Sequence, residues 1–284
     1  MKALKESRAA SFIAVTAVYL LAAAAGILVY RALPLAWWLS LLIADIAATA
    51  LTFFFSVLFG NASVYDPYWS VQPPVILFAL AIGRELNALS VLLLIAVTLW
   101  AVRLTANWAY TFGGLTHQDW RYTMLSERTG GFYPIVNFVG IHLVPTLVVY
   151  GCTLPAAAAI VEGISFRLPA VAFLVISLIA VILQTISDIQ MHKYRKNRDG
   201  AFNRHGLWHY ARHPNYLGEI LMWWGIALAV FVCAPTRPYL LFGALSNTAL
   251  FLFVSIPMAD GRQAKKEGFA AYKSETRALL PIKK

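Results

Sequence analysis

The chain has 284 residues, of which 60% are hydrophobic and only 13% are charged, with a formal net charge of +10. Average soluble chains are about half apolar and about a quarter charged, so this composition excludes an ordinary soluble globule, a disordered chain and a nucleic-acid-binding module. It fits a protein that crosses a membrane several times, with apolar side chains facing both the lipid and the core.

The apolar runs, taken in chain order, predict the membrane-spanning helices. The first run, Ser11–Tyr30, follows a basic head and continues past the small residues Ala22–Gly26, which predicts a retained anchor rather than a cleaved signal peptide. The run Pro73–Ile82 is too short to cross straight, at about 1.5 Å per residue against a core of about 30 Å. The other predicted spans are Leu35–Phe59, Ala88–Trp108, Ile135–Val161, Leu168–Ile189, Tyr216–Cys233 and Pro238–Met258.

These runs predict one all-α, polytopic membrane bundle of about 7–8 transmembrane helices, a single domain over residues 1–284. Within Ile135–Val161, Pro145 or Pro155 is expected to kink or divide the helix. If Pro73–Ile82 does cross, the basic head, the basic loop before Tyr216 and the basic tail fall on one side. That agreement favours eight crossings and makes this side cytosolic by the positive-inside rule.

Ionisable residues at membrane depth are costly, which makes them candidates for function. They are Asp45, Arg103, His142, Asp188 and Glu219. Arg103, Asp188 and Glu219 lie at the cytosolic ends of their spans, where each also has an ordinary structural interpretation as a snorkelling, ion-paired or helix-starting residue. Asn107 follows Arg103 by four positions and shares its helical face.

The segment Gln184–Leu228 is the richest in polar residues. Asp188 and Arg195 are seven apart, which places both on one face of a helix. Pro214 suits the start of the next span, where free N–H groups and the helix dipole attract anions. Near that start lie Arg212, His213 and Asn215. This pattern is typical of a site for a nucleotide or another anionic cofactor; the structural alternative is a basic loop on the membrane surface with a helix cap.

Histidines also recur in this segment, at His205, His209 and His213. A helix would align them as metal ligands, but Gly206 and Pro214 interrupt the helix. We therefore predict no metal site.

A second polar cluster precedes Pro73. Tyr65, Asp66, Tyr68 and Trp69 combine hydrogen-bonding groups with flat apolar faces, which suits a hydrophobic carbonyl substrate. The alternative is an aromatic belt at the membrane interface, where Trp and Tyr are enriched.

The run His209–Glu219 reads HYARHPNYLGE and resembles the signature of membrane steroid 5α-reductases and of lamin-B-receptor-type sterol reductases. The spacing from Asp188 through Arg195 to Glu219 resembles the C-terminal domain of the 5α-reductases. The segments Asn61–Trp69, Arg103–Trp108 and Asp119–Tyr122 look like a largely uncharacterised, mainly bacterial branch of that family.

The resemblance implies an NADPH-dependent oxidoreductase that acts on CH–CH groups and reduces an enone in a steroid- or lipid-like substrate. The cofactor-binding half would be residues 100–284. Matching positions assign these residues to the cofactor: Arg103, Asn107, Gln184, Asp188, Arg195, Arg212, His213, Asn215, Tyr216 and Glu219. The glutamate that grips the substrate ketone in steroid reductases falls near Asp66, and its tyrosine partner falls near Trp100.

The chemistry expected from this resemblance needs an acid near the substrate carbonyl. Hydride addition to an enone builds negative charge on the oxygen, which a tyrosine hydroxyl or a protonated carboxyl can stabilise. We predict Tyr65, Asp66 and Tyr68 for this catalytic role. The expected partners are a hydrophobic small molecule and membrane lipids, with no nucleic acid. The expected location is a bacterial inner membrane or the endoplasmic reticulum, with the active site facing the cytosol.

Two other functions remain open at this point. Isoprenylcysteine-type methyltransferases carry a run like Arg212–Gly218, which they use to bind S-adenosylmethionine. A non-enzymatic lipid-binding membrane protein is the third interpretation, although it leaves the clustering of Asp188, Arg195 and Glu219 unexplained.

Overall fold

The computed structural model describes residues 2–197 and 201–282, and it is helical almost throughout. Among these residues, seven helices are long and apolar enough to cross a membrane, and a shorter helix, α3, joins them. In chain order the bundle consists of α1 (Arg8–Ala32), α2 (Trp37–Leu58), α3 (Tyr68–Ala81), α4 (Ala88–Thr111), α5 (Trp120–Val161), α6 (Ala170–Asn197), α7 (Pro214–Cys233) and α8 (Pro238–Gln263). The prediction of an all-α membrane bundle is confirmed.

Contacts between the connecting segments define two ends of the bundle. At one end, Trp37 at the start of α2 donates a hydrogen bond of 3.1 Å to Glu162, which also forms an ion pair with Arg237. At the other end, Arg8 at the start of α1 donates to the carbonyl of Ala109 near the end of α4, at 2.9 Å. The second end, which we call the basic end, also carries Lys5, Lys193, Lys196, Lys265 and Lys266. The first is called the far end.

Helix α3 makes the eighth crossing. Helix α2 finishes at the basic end, whereas α4 begins at the far end, where Asn87 donates to the carbonyl of Ile164 at 2.8 Å. The chain between them crosses through a 3₁₀ turn, Ala62–Tyr65, followed by the 14 residues of α3. A helix of that length rises only about 21 Å, so the turn covers the remaining depth.

Two expectations that rest on prolines differ from the structure. Helix α3 begins at Tyr68 and continues through Pro73 and Pro74, so the prolines lie inside the helix instead of starting it. Neither proline of the long run divides α5. Its helix widens into a π segment, Asn137–Leu143, immediately before Pro145. The wider turn relieves the clash between the proline ring and the carbonyl four residues earlier. Helix α8 has a comparable π segment, Phe251–Ser255.

Glycines set the closest helix contacts. A Cβ at Gly218 of α7 would lie 2.5 Å from Gln184 Cγ, and one at Gly243 of α8 would lie 2.0 Å from the Gly151 backbone of α5. Small residues let membrane helices approach this closely, which improves their packing. Gly218 therefore makes room for a neighbouring helix rather than for a ligand.

The tail after α8 packs against the loop before α7. A short helix, α9 (Phe269–Glu275), buries Phe269 and Tyr272 against Phe202. The hydroxyl of Tyr272 donates to the carbonyl of Trp208. The apolar side of this helix thus faces protein.

Candidate active site

At the basic end, α4 and α6 face each other through two polar pairs. Arg103 forms an ion pair with Asp188, and the two side chains are 12% and 16% exposed. One turn further along both helices, the Asn107 amide oxygen lies 2.7 Å from His192 Nε2. The spacing of four on each helix places both pairs on the same face, as predicted for Arg103 and Asn107. His192 was missed, although its position four residues after Asp188 was a usable signal.

Glu219 on α7 is buried beneath these pairs, at 5% exposure. Its carboxylate accepts hydrogen bonds from Trp100 Nε1 at 2.9 Å, Gln184 Nε2 at 2.8 Å and Trp223 Nε1 at 2.9 Å. Buried polar groups are costly unless they are hydrogen-bonded, and here three donors from three helices satisfy one carboxylate. The two predicted residues Gln184 and Glu219 therefore form one network that ties α4, α6 and α7 together.

Asp260, near the end of α8, organises the segment before α7. Its carboxylate accepts from Arg212 at 3.2 and 3.1 Å and lies 2.9 Å from His213 Nε2. Arg212 also donates to the carbonyl of Thr276 in the tail. The two predicted residues are thus held by protein groups. Sequence reasoning missed Asp260, which is a lone acid at the end of an apolar run that continues into a basic tail.

The first turn of α7 carries two further predicted residues. The Tyr216 ring stacks on the His213 ring, with centroids 5.0 Å apart and an angle of 7° between the planes. The side-chain oxygen of Asn215 is buried, and it has no hydrogen-bond partner within residues 2–197 and 201–282. Arg195 is exposed in the last turn of α6.

The predicted catalytic trio makes three different hydrogen bonds in the structure, although the Tyr65 and Tyr68 rings pack together with centroids 5.4 Å apart. Asp66 accepts a hydrogen bond of 2.6 Å from the Tyr122 hydroxyl, and the Tyr65 hydroxyl lies 2.8 Å from Thr146 Oγ1. Tyr68 instead donates to Asp45 on α2, at 3.4 Å. The 3₁₀ turn before α3 aims consecutive side chains in different directions, so neighbours in sequence face different helices.

A cavity of about 290 Å³ lies between α1, α2 and α3. Tyr68, Asp45 and Gln72 form its polar part, where Gln72 Nε2 donates to Asp45 at 2.7 Å. The volume is close to the lower end of the range of about 300–1,000 Å³ for ligand sites. Tyr68 is the member of the trio that borders this cavity. Asp45 was noted in the sequence as an acid at membrane depth, but it was not selected as a site residue.

Aromatic rings separate this cavity from the polar network around Glu219. Trp69 of α3 packs near Trp100 of α4, with centroids 6.1 Å apart, and Trp100 packs on Trp223 at 4.7 Å. Because Trp100 also donates to Glu219, this aromatic partition joins the network directly. The two polar regions therefore approach each other where α3 packs on α4.

Metal ligands do not cluster in the described parts of the chain. No group of three or more His, Cys, Asp or Glu side chains within residues 2–197 and 201–282 is arranged to hold a metal ion. The three histidines at spacing four do not share a helix, because only the short helix Leu207–Tyr210 lies among them.

Comparison with known proteins places this chain in a family. A family model described as "Protein of unknown function (DUF1295)" matches residues 52–276, which is most of the chain. The chain belongs to this family. The DUF1295 family includes steroid 5α-reductase-like proteins. The matched range contains every residue that the sequence analysis selected for catalysis or for the cofactor.

One curated relative has a similar sequence. The chain is 26% identical over 224 residues to an uncharacterized protein of Schizosaccharomyces pombe. That similarity covers 69% of this chain and 61% of the yeast protein, so the chain spans about three fifths of that relative. No solved structure matches the chain.

Proposed function

We propose that this DUF1295 protein is a membrane-embedded reductase that uses NADPH to reduce the activated carbon–carbon double bond of a hydrophobic enone. The observation that carries the proposal is the cavity in the bundle, with Tyr68 and Asp45 at its polar part. Across the aromatic partition lies a polar region at the basic end. Membership of a family with steroid 5α-reductase-like proteins supports the same class of reaction.

The residues at the basic end fit a phosphate-bearing nucleotide. The buried, unpartnered oxygen of Asn215 is a polar group that a ligand would satisfy. Arg195 is exposed at the end of α6 on the strongly basic end of the bundle, and guanidinium groups bind phosphates through paired donors. In this proposal the cofactor is held by Arg103, Asn107, Asp188, Arg195, Asn215 and Tyr216. Arg212 and His213, which Asp260 holds, orient the segment that carries Asn215.

NADPH, when bound, supplies the hydride that reduces the β-carbon of the enone. The chain's own task is then to stabilise the negative charge that develops on the carbonyl oxygen. The hydroxyl of Tyr68, which donates its single proton to Asp45 in the structure, is the donor proposed to turn to that oxygen, and the hydrogen bond from Gln72 keeps Asp45 partnered when it does. The apolar lining excludes water, which strengthens such a hydrogen bond. Tyr65 and Asp66, turned toward Thr146 and Tyr122, support the turn that places Tyr68.

Thermal unfolding of the purified protein with added cofactors tests the proposal. A ligand at 100 times its dissociation constant stabilises the native state by about 2.7 kcal/mol. We expect NADPH to raise the melting temperature by several degrees, and S-adenosylmethionine to have no effect. Stabilisation by S-adenosylmethionine alone would favour a methyltransferase. No response to either compound or to NADH would favour a lipid-binding protein without cofactor.

Variants at the two ends of the bundle test where NADPH binds. Asp188→Asn should lose most of the response to NADPH, because it removes the partner of Arg103 from the proposed site. Arg167→Gln, which changes an exposed arginine at the far end, should keep the response. An unchanged response in Asp188→Asn would move the cofactor site elsewhere.

A further inference from the structure

The same cavity extends from its polar part to the far end of the bundle. At that end it is lined by Tyr30 and Arg31 of α1 and by Ile82 and Arg84, which follow α3. Between the two ends the walls of α1 and α2 are built largely from small residues. These residues are Ala22, Ala23, Gly26, Ala44 and Ala48. Small side chains on two packed helices leave the space open, whereas larger ones would fill it.

The cavity also borders the lipid. Ile27 on α1 and Val75 on α3 line it from opposite sides, and they are 36% and 37% exposed. Within a membrane, such exposed apolar side chains face acyl chains. The wall of the cavity between α1 and α3 is therefore in contact with the bilayer.

Two arginine side chains line the far end of this largely apolar cavity. Arg31 and Arg84 are both exposed, and neither forms an ion pair with a carboxylate within the described residues. Arg84 donates to the carbonyl of Leu80, and Glu85, its neighbour in sequence, is exposed. Arg237, also at the far end, is by contrast paired with Glu162. The two arginines that line the cavity are thus available to an anionic ligand.

The helix geometry gives the distance between the two ends. Asp45 lies eight residues after Trp37, the first residue of α2, which corresponds to about 12 Å of helix. Tyr19 and Arg31, which line the cavity on α1, are separated by about 18 Å. A ligand that reaches both ends is therefore elongated and on the order of 12–18 Å long.

We propose that the cavity binds an elongated apolar molecule that carries an anionic group at one end, with this anion at Arg31 and Arg84. The opposite, carbonyl-bearing end lies at Tyr68 and Asp45; this half rests on the proposed function. The substrate class is thus an acidic amphiphile, such as a rigid polycyclic enone with a carboxylate side chain. A neutral enone of the same shape would lack the contacts at the far end.

Equilibrium dialysis without NADPH tests the anionic end alone. The full chain is placed in nanodiscs of uncharged lipid, and the probes are a radiolabelled ketosteroid enone with a carboxylate side chain and its methyl ester. We expect the acid to bind about 10-fold more tightly than the ester, which corresponds to a charge-assisted contact at an exposed position. The preference should decrease as salt is added, because exposed charges are screened.

Matched variants place the binding in this cavity. The double variant Arg31→Gln, Arg84→Gln should bring the affinities for acid and ester together, while Arg167→Gln should keep their difference. Ala23→Trp should abolish binding of both probes by filling the cavity. Ala24→Trp, at the adjacent lipid-exposed position, should not.

Equal affinities for acid and ester in the wild type, no binding of either, or a preference that survives in the double variant would each overturn the inference. The result is separable from the reaction. A protein that prefers the acid but never oxidises NADPH keeps this binding site and loses the proposed function. One that reduces acid and ester alike while binding them equally keeps the function and loses this inference.

Discussion

Replacing Tyr68 with phenylalanine should lower kcat for NADPH-dependent enone reduction by about 10²- to 10³-fold. The hydroxyl lies in the cavity and is the donor proposed for the developing oxyanion, so its removal acts mainly on the transition state. KM should change little for the same reason. The ring itself remains, and its packing against Tyr19 and Tyr65 is preserved.

Three phenylalanine or asparagine variants serve as comparisons for Tyr68→Phe. Tyr30→Phe removes a hydroxyl from the far end of the same cavity, and it should leave kcat within a few-fold of the wild type. Tyr65→Phe and Asp66→Asn should have smaller effects than Tyr68→Phe, because their side chains contact Thr146 and Tyr122. Full turnover in Tyr68→Phe, measured by NADPH oxidation and by product, would reject the role of this hydroxyl.

Glu219→Ala should produce the largest loss of stability. It leaves the donors of Trp100, Gln184 and Trp223 without their acceptor in the middle of the bundle. Each buried, unsatisfied polar group costs about 1–3 kcal/mol, so we expect a total loss of at least about 3 kcal/mol. The observable result is a melting temperature many degrees lower, or a failure of the protein to accumulate in the membrane.

A graded set of variants separates this network from a general effect of losing an acid. Glu219→Gln retains one side-chain oxygen as an acceptor but adds an amide group that opposes the remaining donor, so its stability should be intermediate. Glu267→Ala, which removes an exposed acid between α8 and α9, should melt like the wild type. Identical melting of Glu219→Ala and Glu267→Ala would contradict the importance of the network.

Much of the fold follows from composition and hydrophobic runs. Each long apolar run became a helix, and the distribution of basic residues indicated the eighth crossing. The start of α3 was misplaced because Pro73 and Pro74 predict a helix start, while the tertiary fold tolerates both within the helix. In a bundle, neighbouring helices stabilise a segment that its own sequence disfavours.

The candidate site was only partly predictable, for a different reason. Periodicity placed Arg103 and Asn107 on one face of α4, and in the structure both side chains contact α6. The partners, however, are distant in sequence: Asp188 lies 85 residues after Arg103, and Asp260 lies 48 after Arg212. Nothing local specifies such pairs. Asp45 illustrates the same limit, because its importance depends on α3 crossing beside it.

The aromatic partition of Trp69 and Trp100 also bears on the order of kinetic events. The cavity reaches the surface at the far end and between α1 and α3, while the proposed cofactor residues lie at the opposite end. A substrate and a cofactor that enter through separate openings do not block each other. Steady-state kinetics should therefore follow random addition, with either product free to leave first. Hydride passes only between atoms in contact, so a nicotinamide that enters from the basic end and an enone that enters from the lipid would have to meet where Trp69 packs near Trp100.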